Sequence, residues 1–185
     1  EAGRFVVHGS HDRESVKSNK IRLEIDAAMA FGTRHHATTK GCLLVLDKLA
    51  KRGLEARNIA DIGAGTGVLA MGAAKIWPVA AIASDIDPVA TATALVNLGN
   101  NGVANRVTAL TAVGFRHERL RGRAPFDLVF ANILANPLKQ LAPDMFRYLA
   151  PNGVAILSGI LATQAAGIEA VYRGFGFGRV EKLVI

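Results

Sequence analysis

A chain of 185 residues, 50% hydrophobic and 20% charged with a mean hydropathy of +0.26, has enough apolar side chains to bury a full core as one domain and is unlike a disordered polypeptide. No apolar run is long enough to cross a bilayer, and the start Glu1-Ala2-Gly3-Arg4 lacks the basic-then-apolar order of a signal peptide, so a cytoplasmic protein without membrane contact is expected. The lone Cys42 excludes an internal disulfide or multi-cysteine metal site and reads as a small core residue, while a net charge of +7 suits an anionic partner such as RNA.

Two short alternating runs, Arg4-Phe5-Val6-Val7-His8 and Ile21-Arg22-Leu23-Glu24-Ile25-Asp26, flank a link rich in Ser, Lys and Asn and predict an N-terminal β-hairpin. Residues 27–42 have no clean period and read as a loop. From Thr38 or Thr39 as a cap, Leu43, Leu44, Leu46 and Leu49 mark an amphipathic helix that ends near Gly53.

The stretch Asn58-Ile59-Ala60-Asp61-Ile62-Gly63-Ala64-Gly65-Thr66-Gly67-Val68-Leu69-Ala70 predicts a strand, a tight turn and a helix start. Glycines at 63, 65 and 67 permit positive φ and let a ligand approach the backbone, and the helix beyond offers free N–H groups. A second apolar run, residues 79–84, ends in Asp85, 22 residues after Gly63, where a nucleotide-binding α/β fold places its ribose-binding acid. Gly65 to Ala70 also satisfies the looser dinucleotide pattern G-x-G-x-x-A, so NAD is an alternative. The acid Asp61 just before the glycines and the G-x-G-x-G spacing favour S-adenosylmethionine (SAM). A glycine turn with no ligand is the plainest alternative.

Beyond the glycines, strand and helix signals alternate, the order that builds a parallel sheet covered on both faces. Strands are expected near 58–62, 79–85, 106–112, 126–131, 153–158 and 179–184, with helices near 67–76, 88–100, 137–149 and 162–173. Asp87-Pro88 is a sound helix start, Asn100-Asn101-Gly102 a stop, and Pro151-Asn152-Gly153 a turn; Phe175-Gly176-Phe177-Gly178 leads into the last strand.

Several stretches together resemble one family, the bacterial ribosomal protein L-eleven methyltransferases (PrmA). They are Arg4-Phe5-Val6-Val7-His8-Gly9, Ala30-Phe31-Gly32-Thr33 with His36 and Thr38-Thr39, the glycine loop, Asp85-Ile86-Asp87-Pro88, and Phe126-Asp127-Leu128-Val129-Phe130-Ala131-Asn132-Ile133-Leu134. The resemblance runs over nearly the whole chain. It implies an α/β, Rossmann-like class I methyltransferase with a mostly parallel doubly wound sheet. It also implies SAM as methyl donor, S-adenosylhomocysteine as product, and lysine side chains or the N-terminal amine of a large-subunit ribosomal protein as acceptor.

Carried over by matching position, the family's cofactor contacts fall on Thr39, Gly63, Asp85 and Asn132, with Gly65 and Ile86 beside them. Asn132 is the expected catalytic residue. Asp85 can accept from both ribose hydroxyls, and Asn132 follows a buried run at the sheet edge where such folds bind ligands. On the residues alone, Thr39 reads as a helix cap and Asn132 equally as a turn residue. The family usually reads Gly-Thr-Gly where this chain has Gly32-Thr33-Arg34, which puts a charge beside the expected transfer site.

The expected organisation is one catalytic domain over 1–185, with hairpin and active-site loop at 1–40 and the Rossmann-like core at 41–185. The chain starts where the family's catalytic domain starts, and the seventh, antiparallel strand of such folds is expected to be missing. Of His8, His11, His35, His36 and His117, no set has metal-site spacing with cysteine, and no metal is expected. His35 and His36 read as shaping the loop or lining the substrate entrance. Rival readings are a SAM-dependent RNA or DNA methyltransferase, opposed by Ile133-Leu134-Ala135 where a stacking aromatic would stand, and a SAM-binding domain without activity.

Overall fold

A computed structural model describes residues 1–14, 19–25 and 33–185, with 33–36 described by backbone alone. Of the loop expected at 27–42, residues 27–32 and the side chains of Arg34, His35 and His36 therefore lie outside the described residues, and residues 33–42 are helical instead.

The N-terminal pair is not a hairpin. β1 (Phe5–His8) and β2 (Ile21–Glu24) run parallel, with Phe5 opposite Ile21 and His8 opposite Glu24. Alternation gives each strand its faces but not its direction, and the link over residues 9–20 is about the dozen residues that a parallel crossover needs. Phe5 and Leu23 are fully buried and join the core with Leu43, Leu46 and Met71. That junction is close because Gly72 has no side chain: a Cβ there would meet Leu43 at 3.1 Å, Phe5 at 3.4 Å and Leu46 at 3.6 Å.

Helix α1 spans Thr33–Lys51, so Thr38 and Thr39 lie inside it and neither is the cap. No proline or glycine interrupts residues 33–40, and tertiary packing carries the helix past the apolar period that marked its start. Asp47 on this helix takes Arg4 and Lys51. Burial alone would raise its carboxyl, but the two cations hold it below its usual value.

The main sheet contains β3 (Ile59–Ile62), β4 (Ala81–Asp85), β5 (Val107–Thr111), β6 (Phe126–Asn132) and β7 (Leu149–Ser158), all parallel, in the order β5-β4-β3-β6-β7. Successive strands step outward from β3 to β5 and then reverse to β6, so the switch point lies between β3 and β6. Open α/β sheets bind ligands at the carboxyl edge of that point. One apolar cluster packs α1, α2 (Val68–Ile76) and the small sheet on one face; the other packs α4 (Glu118–Arg123), α5 (Ala135–Tyr148) and α6 (Ala165–Gly174). α3 (Pro88–Asn100) begins as expected, with Asp87 accepting from the Val89 N–H at 2.8 Å. The short α4 gave no periodic signal over its six residues; His117 caps it by accepting from the Arg119 N–H at 3.1 Å.

Two expectations fail toward the end of the chain. Pro151-Asn152-Gly153 lies within β7, where Asn152 takes φ +63° and the pairing with β6 shifts register between Phe126 and Leu128; the irregularity keeps the strand running where a turn was expected. Residues 179–184 form no strand. Their alternation suits one, but Glu181 pairs with Lys48 of α1 and with Arg52 just past it, and Ile185 lies against Gly41, which draws the segment onto the helix. Among the described residues, β7 therefore pairs with β6 alone. No helix among them is long and apolar enough to cross a membrane.

Candidate active site

β3 is buried at all four positions and delivers the chain into the glycine loop. Gly63, Gly65 and Gly67 adopt φ of +73°, +54° and +78°, the left-handed region that other residues enter only at a cost. Much of the loop is tied through backbone groups. The Gly63 and Ala64 N–H groups both donate to the Ser84 carbonyl at 2.8 and 2.9 Å, and the Gly67 N–H donates to the Ala64 carbonyl at 2.8 Å. A Cβ on Gly65 would meet nothing within 4 Å, so the loop there faces open space rather than a packed neighbour.

Asp85 ends β4 and completes the loop. Its Oδ2 accepts from the Gly65 N–H at 2.8 Å and its Oδ1 from the Asp87 N–H at 3.0 Å. A carboxylate offers about four lone-pair sites, so both oxygens keep capacity for a further donor. Ile86, the next residue, is 67% exposed at the same edge. Asp61, by contrast, is wholly buried and turned inward: its Oδ2 accepts from the Ala70 N–H at 3.0 Å in the first turn of α2. Burial raises its pKa to about 7; the Ala70 N–H works against this and the Asp85 charge adds to it. Asp61 braces the loop from behind.

The second half of the site is at the end of β6. Asn132 Nδ2 donates to Thr39 Oγ1 at 3.3 Å, a contact between residues far apart in the chain, while Asn132 Oδ1 is buried without a partner. Ile133 fixes this corner. A Cβ on Gly63 would overlap its side chain, and one on Gly159, at φ +84°, would stand 2.5 Å from its carbonyl oxygen and 2.8 Å from its nitrogen. Cys42 is close by in the core, and burial, only partly offset by the Ser158 hydroxyl, pushes its thiol up to about 12. It is no nucleophile.

Gly63, Gly65, Asp85 and Ile86 thus form one group and Thr39 and Asn132 another, joined through the contact of Gly63 with Ile133. Residue patterns did not reveal the contributions of the Ser84 carbonyl, Gly159 or Asn97, whose Nδ2 donates to the Thr66 carbonyl at 3.0 Å. A signal for Asn97 existed: an amide side chain between Val96 and Leu98 in the helix expected over 88–100. Among the described residues, four buried side-chain polar atoms lack a partner, and three of them, Asp61 Oδ1, Thr66 Oγ1 and Asn132 Oδ1, gather at this edge. Native proteins leave few such atoms unpaired, and of the three Asn132 Oδ1 belongs to the residue that ends β6 at the carboxyl edge, while Asp61 and Thr66 are buried behind the loop.

The description "Ribosomal protein L11 methyltransferase (PrmA)" belongs to a family model that matches residues 1–183. The chain belongs to this methyltransferase family. It is 50% identical over 184 residues to a ribosomal protein L11 methyltransferase of Rhodopseudomonas palustris, covering 100% of this chain and 62% of that protein. It is 53% identical over 173 residues to one of Sinorhizobium fredii, covering 94% of this chain and 59% of that protein. The chain thus spans about 60% of the length of these relatives. In three dimensions it is similar to the crystal structure of a ribosomal protein L11 methylase of Lactobacillus delbrueckii, with a TM-score of 0.85 and 26% identity over 98% of this chain and 90% of that one. The L11 methyltransferase family thus contains this α/β fold with its parallel sheet.

Proposed function

We propose that this chain is the catalytic domain of a SAM-dependent protein methyltransferase that modifies amino groups, lysine side chains or the N-terminal amine, of a large-subunit ribosomal protein. The carrying observation is the buried, unpartnered Asn132 Oδ1 beside the open face of the glycine loop. An amine nucleophile brings the N–H donor that this oxygen lacks, and leaving a buried acceptor unmade costs about 1–3 kcal/mol. SAM, when bound, supplies an electrophilic methyl group on a sulfonium. Gly63, Gly65, Asp85 and Ile86 would hold it: Asp85 accepts from the ribose hydroxyls with its remaining lone pairs, Gly65 leaves room for close approach, and Ile86 offers an exposed apolar surface. Thr39 would line the site through Asn132.

Methyl transfer is a direct displacement, so the protein's task is to hold an uncharged amine in line. Asn132 accepts from the amine and orients it, and Thr39 orients Asn132. The amine's proton leaves to water, and burial of the acceptor lysine lowers its pKa toward release. The net charge of +7, with Arg116, Arg119 and Arg121 exposed on and before α4, suits contact with RNA around the substrate. Calorimetry with SAM, S-adenosylhomocysteine and NAD, followed by methyl-transfer assays on lysine peptides and ribosomal RNA, tests the proposal. Binding of the first two ligands with methylation of the peptide supports it. NAD binding, or methylation of RNA alone, would replace it with an oxidoreductase or a nucleic-acid enzyme.

A further inference from the structure

Two asparagines one turn apart, Asn97 on α3 and Asn101 at its C-cap, make contacts that the proposed chemistry does not use. Asn101, just past the end of the helix, pairs with β2 much as a neighbouring strand would. Its Oδ1 accepts from the Glu24 N–H at 3.0 Å and its Nδ2 donates to the Glu24 carbonyl at 2.7 Å. The same Nδ2 donates to the Asn97 carbonyl at 2.8 Å, and Lys75 Nζ, from α2, reaches both Asn101 Oδ1 at 3.0 Å and the Arg22 carbonyl at 2.6 Å. Asn97 is 1% exposed, and its Nδ2 donates to the carbonyl of Thr66 between the second and third loop glycines. A chain of bonds therefore runs from the small N-terminal sheet through α3 to the glycine loop.

We propose that Asn97 is a positioning residue for the glycine loop and that Asn101 anchors it to β2. The Thr66 carbonyl sits within three glycines that could each take many backbone conformations, so a donor fixed by a rigid helix selects one of them. That selection orders the Gly65 N–H against Asp85 and leaves the loop's open face ready for a ligand. Without Asn97, the Thr66 carbonyl is a buried acceptor that must find another donor, and the loop moves to supply one. Asn101 closes the helix end on the Asn97 carbonyl, which accepts from its backbone N–H at 3.0 Å and from its Nδ2 at 2.8 Å. Holding Glu24 at the same time, it fixes where the small sheet sits relative to the loop.

As a statement about ligand affinity, this rests on the proposed SAM site; as a statement about the loop, it does not. The test compares Asn97→Ala, Asn101→Ala and, as a packing control, Leu98→Ala, a fully buried neighbour that touches no loop atom through a hydrogen bond. Amide hydrogen exchange at Gly65 and Gly67 is read on the ligand-free proteins, with melting temperature and calorimetric affinity for S-adenosylhomocysteine alongside. Asn97→Ala should speed exchange at both glycines and weaken the ligand about tenfold, roughly the worth of one buried hydrogen bond. Asn101→Ala, at a less buried site, should speed exchange at Glu24 strongly and at the loop slightly. Leu98→Ala should lower the melting temperature without changing loop exchange. Unchanged exchange at Gly65 and Gly67 in Asn97→Ala, or equal changes in Leu98→Ala, would overturn the proposal. Should Asn97→Ala not fold, loop exchange in Asn101→Ala that matches wild type would do so. If wild type fails to bind S-adenosylhomocysteine, the site reading fails and the exchange data still decide the positioning role.

Discussion

On the β3–β4 side of the ligand edge several bonds share the holding: the Gly63, Ala64 and Gly67 N–H groups donate to backbone carbonyls and the Gly65 N–H to the Asp85 carboxylate, all between 2.8 and 2.9 Å, and Asn97 holds the Thr66 carbonyl. On the β6 side one side-chain contact of 3.3 Å, between Asn132 and Thr39, does comparable work, and Asn132 Oδ1 has no partner. The first arrangement is complete before any ligand arrives and spreads over several peptide groups. The second concentrates its geometry in two side chains and leaves an acceptor for an incoming donor. A single substitution should therefore damage the two sides to different degrees and in different ways.

The largest effect is expected at Asn132. Asn132→Ala should lower single-turnover methyl transfer about a hundredfold to a thousandfold, the range for losing a positioned polar group, and lower cofactor affinity much less. Equal losses in both would make Asn132 a cofactor ligand and nothing more. Asp85→Ala should weaken S-adenosylhomocysteine roughly tenfold to a hundredfold in calorimetry while the fold, read by circular dichroism, is kept. Unchanged affinity removes Asp85 from the site. The contrast sharpens with pH. A lysine acceptor with a pKa near 10.4 predicts kcat/KM rising about tenfold per unit from pH 7 to 9.5 with no enzyme base to level it. A plateau above pH 6.5 that disappears in a His35 or His36 variant would instead assign that histidine as the base.

The smallest effect tests the brace behind the loop. Burial raises Asp61 from 3.8 to about 7, so the folded protein keeps a proton that the unfolded chain has released between those values. Its contribution to stability is intact below about pH 4, declines as pH rises, and reaches its full penalty above about pH 7. Asp61→Asn removes the titration. The melting temperature of the variant relative to wild type should climb from pH 5 to pH 8, and parallel curves would show that Asp61 does not titrate in this range.

What the residues disclosed follows the same division. The strand, glycine turn and helix over residues 59–76, and the Asp87-Pro88 start of α3, were legible because each signal acts within a few residues. Gly63, Gly65, Asp85 and Ile86 lie together as a local motif would have them. Thr39 was misread as a cap because its partner, Asn132, is remote in sequence and enters only through the fold. The direction of β2 and the fate of residues 179–184 likewise involve remote partners, β1 for one and the cations Lys48 and Arg52 for the other. Alternation of side chains names a surface and leaves its neighbour open.

The strand order also bears on the sequence of events in folding. Ile59 is in register with Ala81 on one side and Leu128 on the other, so the two central pairings close loops of very different size. Each doubling of loop length costs only about 0.6 kcal/mol, a small toll at equilibrium, but remote contacts slow the search for the native arrangement. A chain made from its N-terminus presents β3, β4 and β5 before β6 exists. The glycine turn can therefore settle against β4 early, and Asn132 reaches its position when the longer loop closes, making the arrival of β6 the step that completes the candidate site.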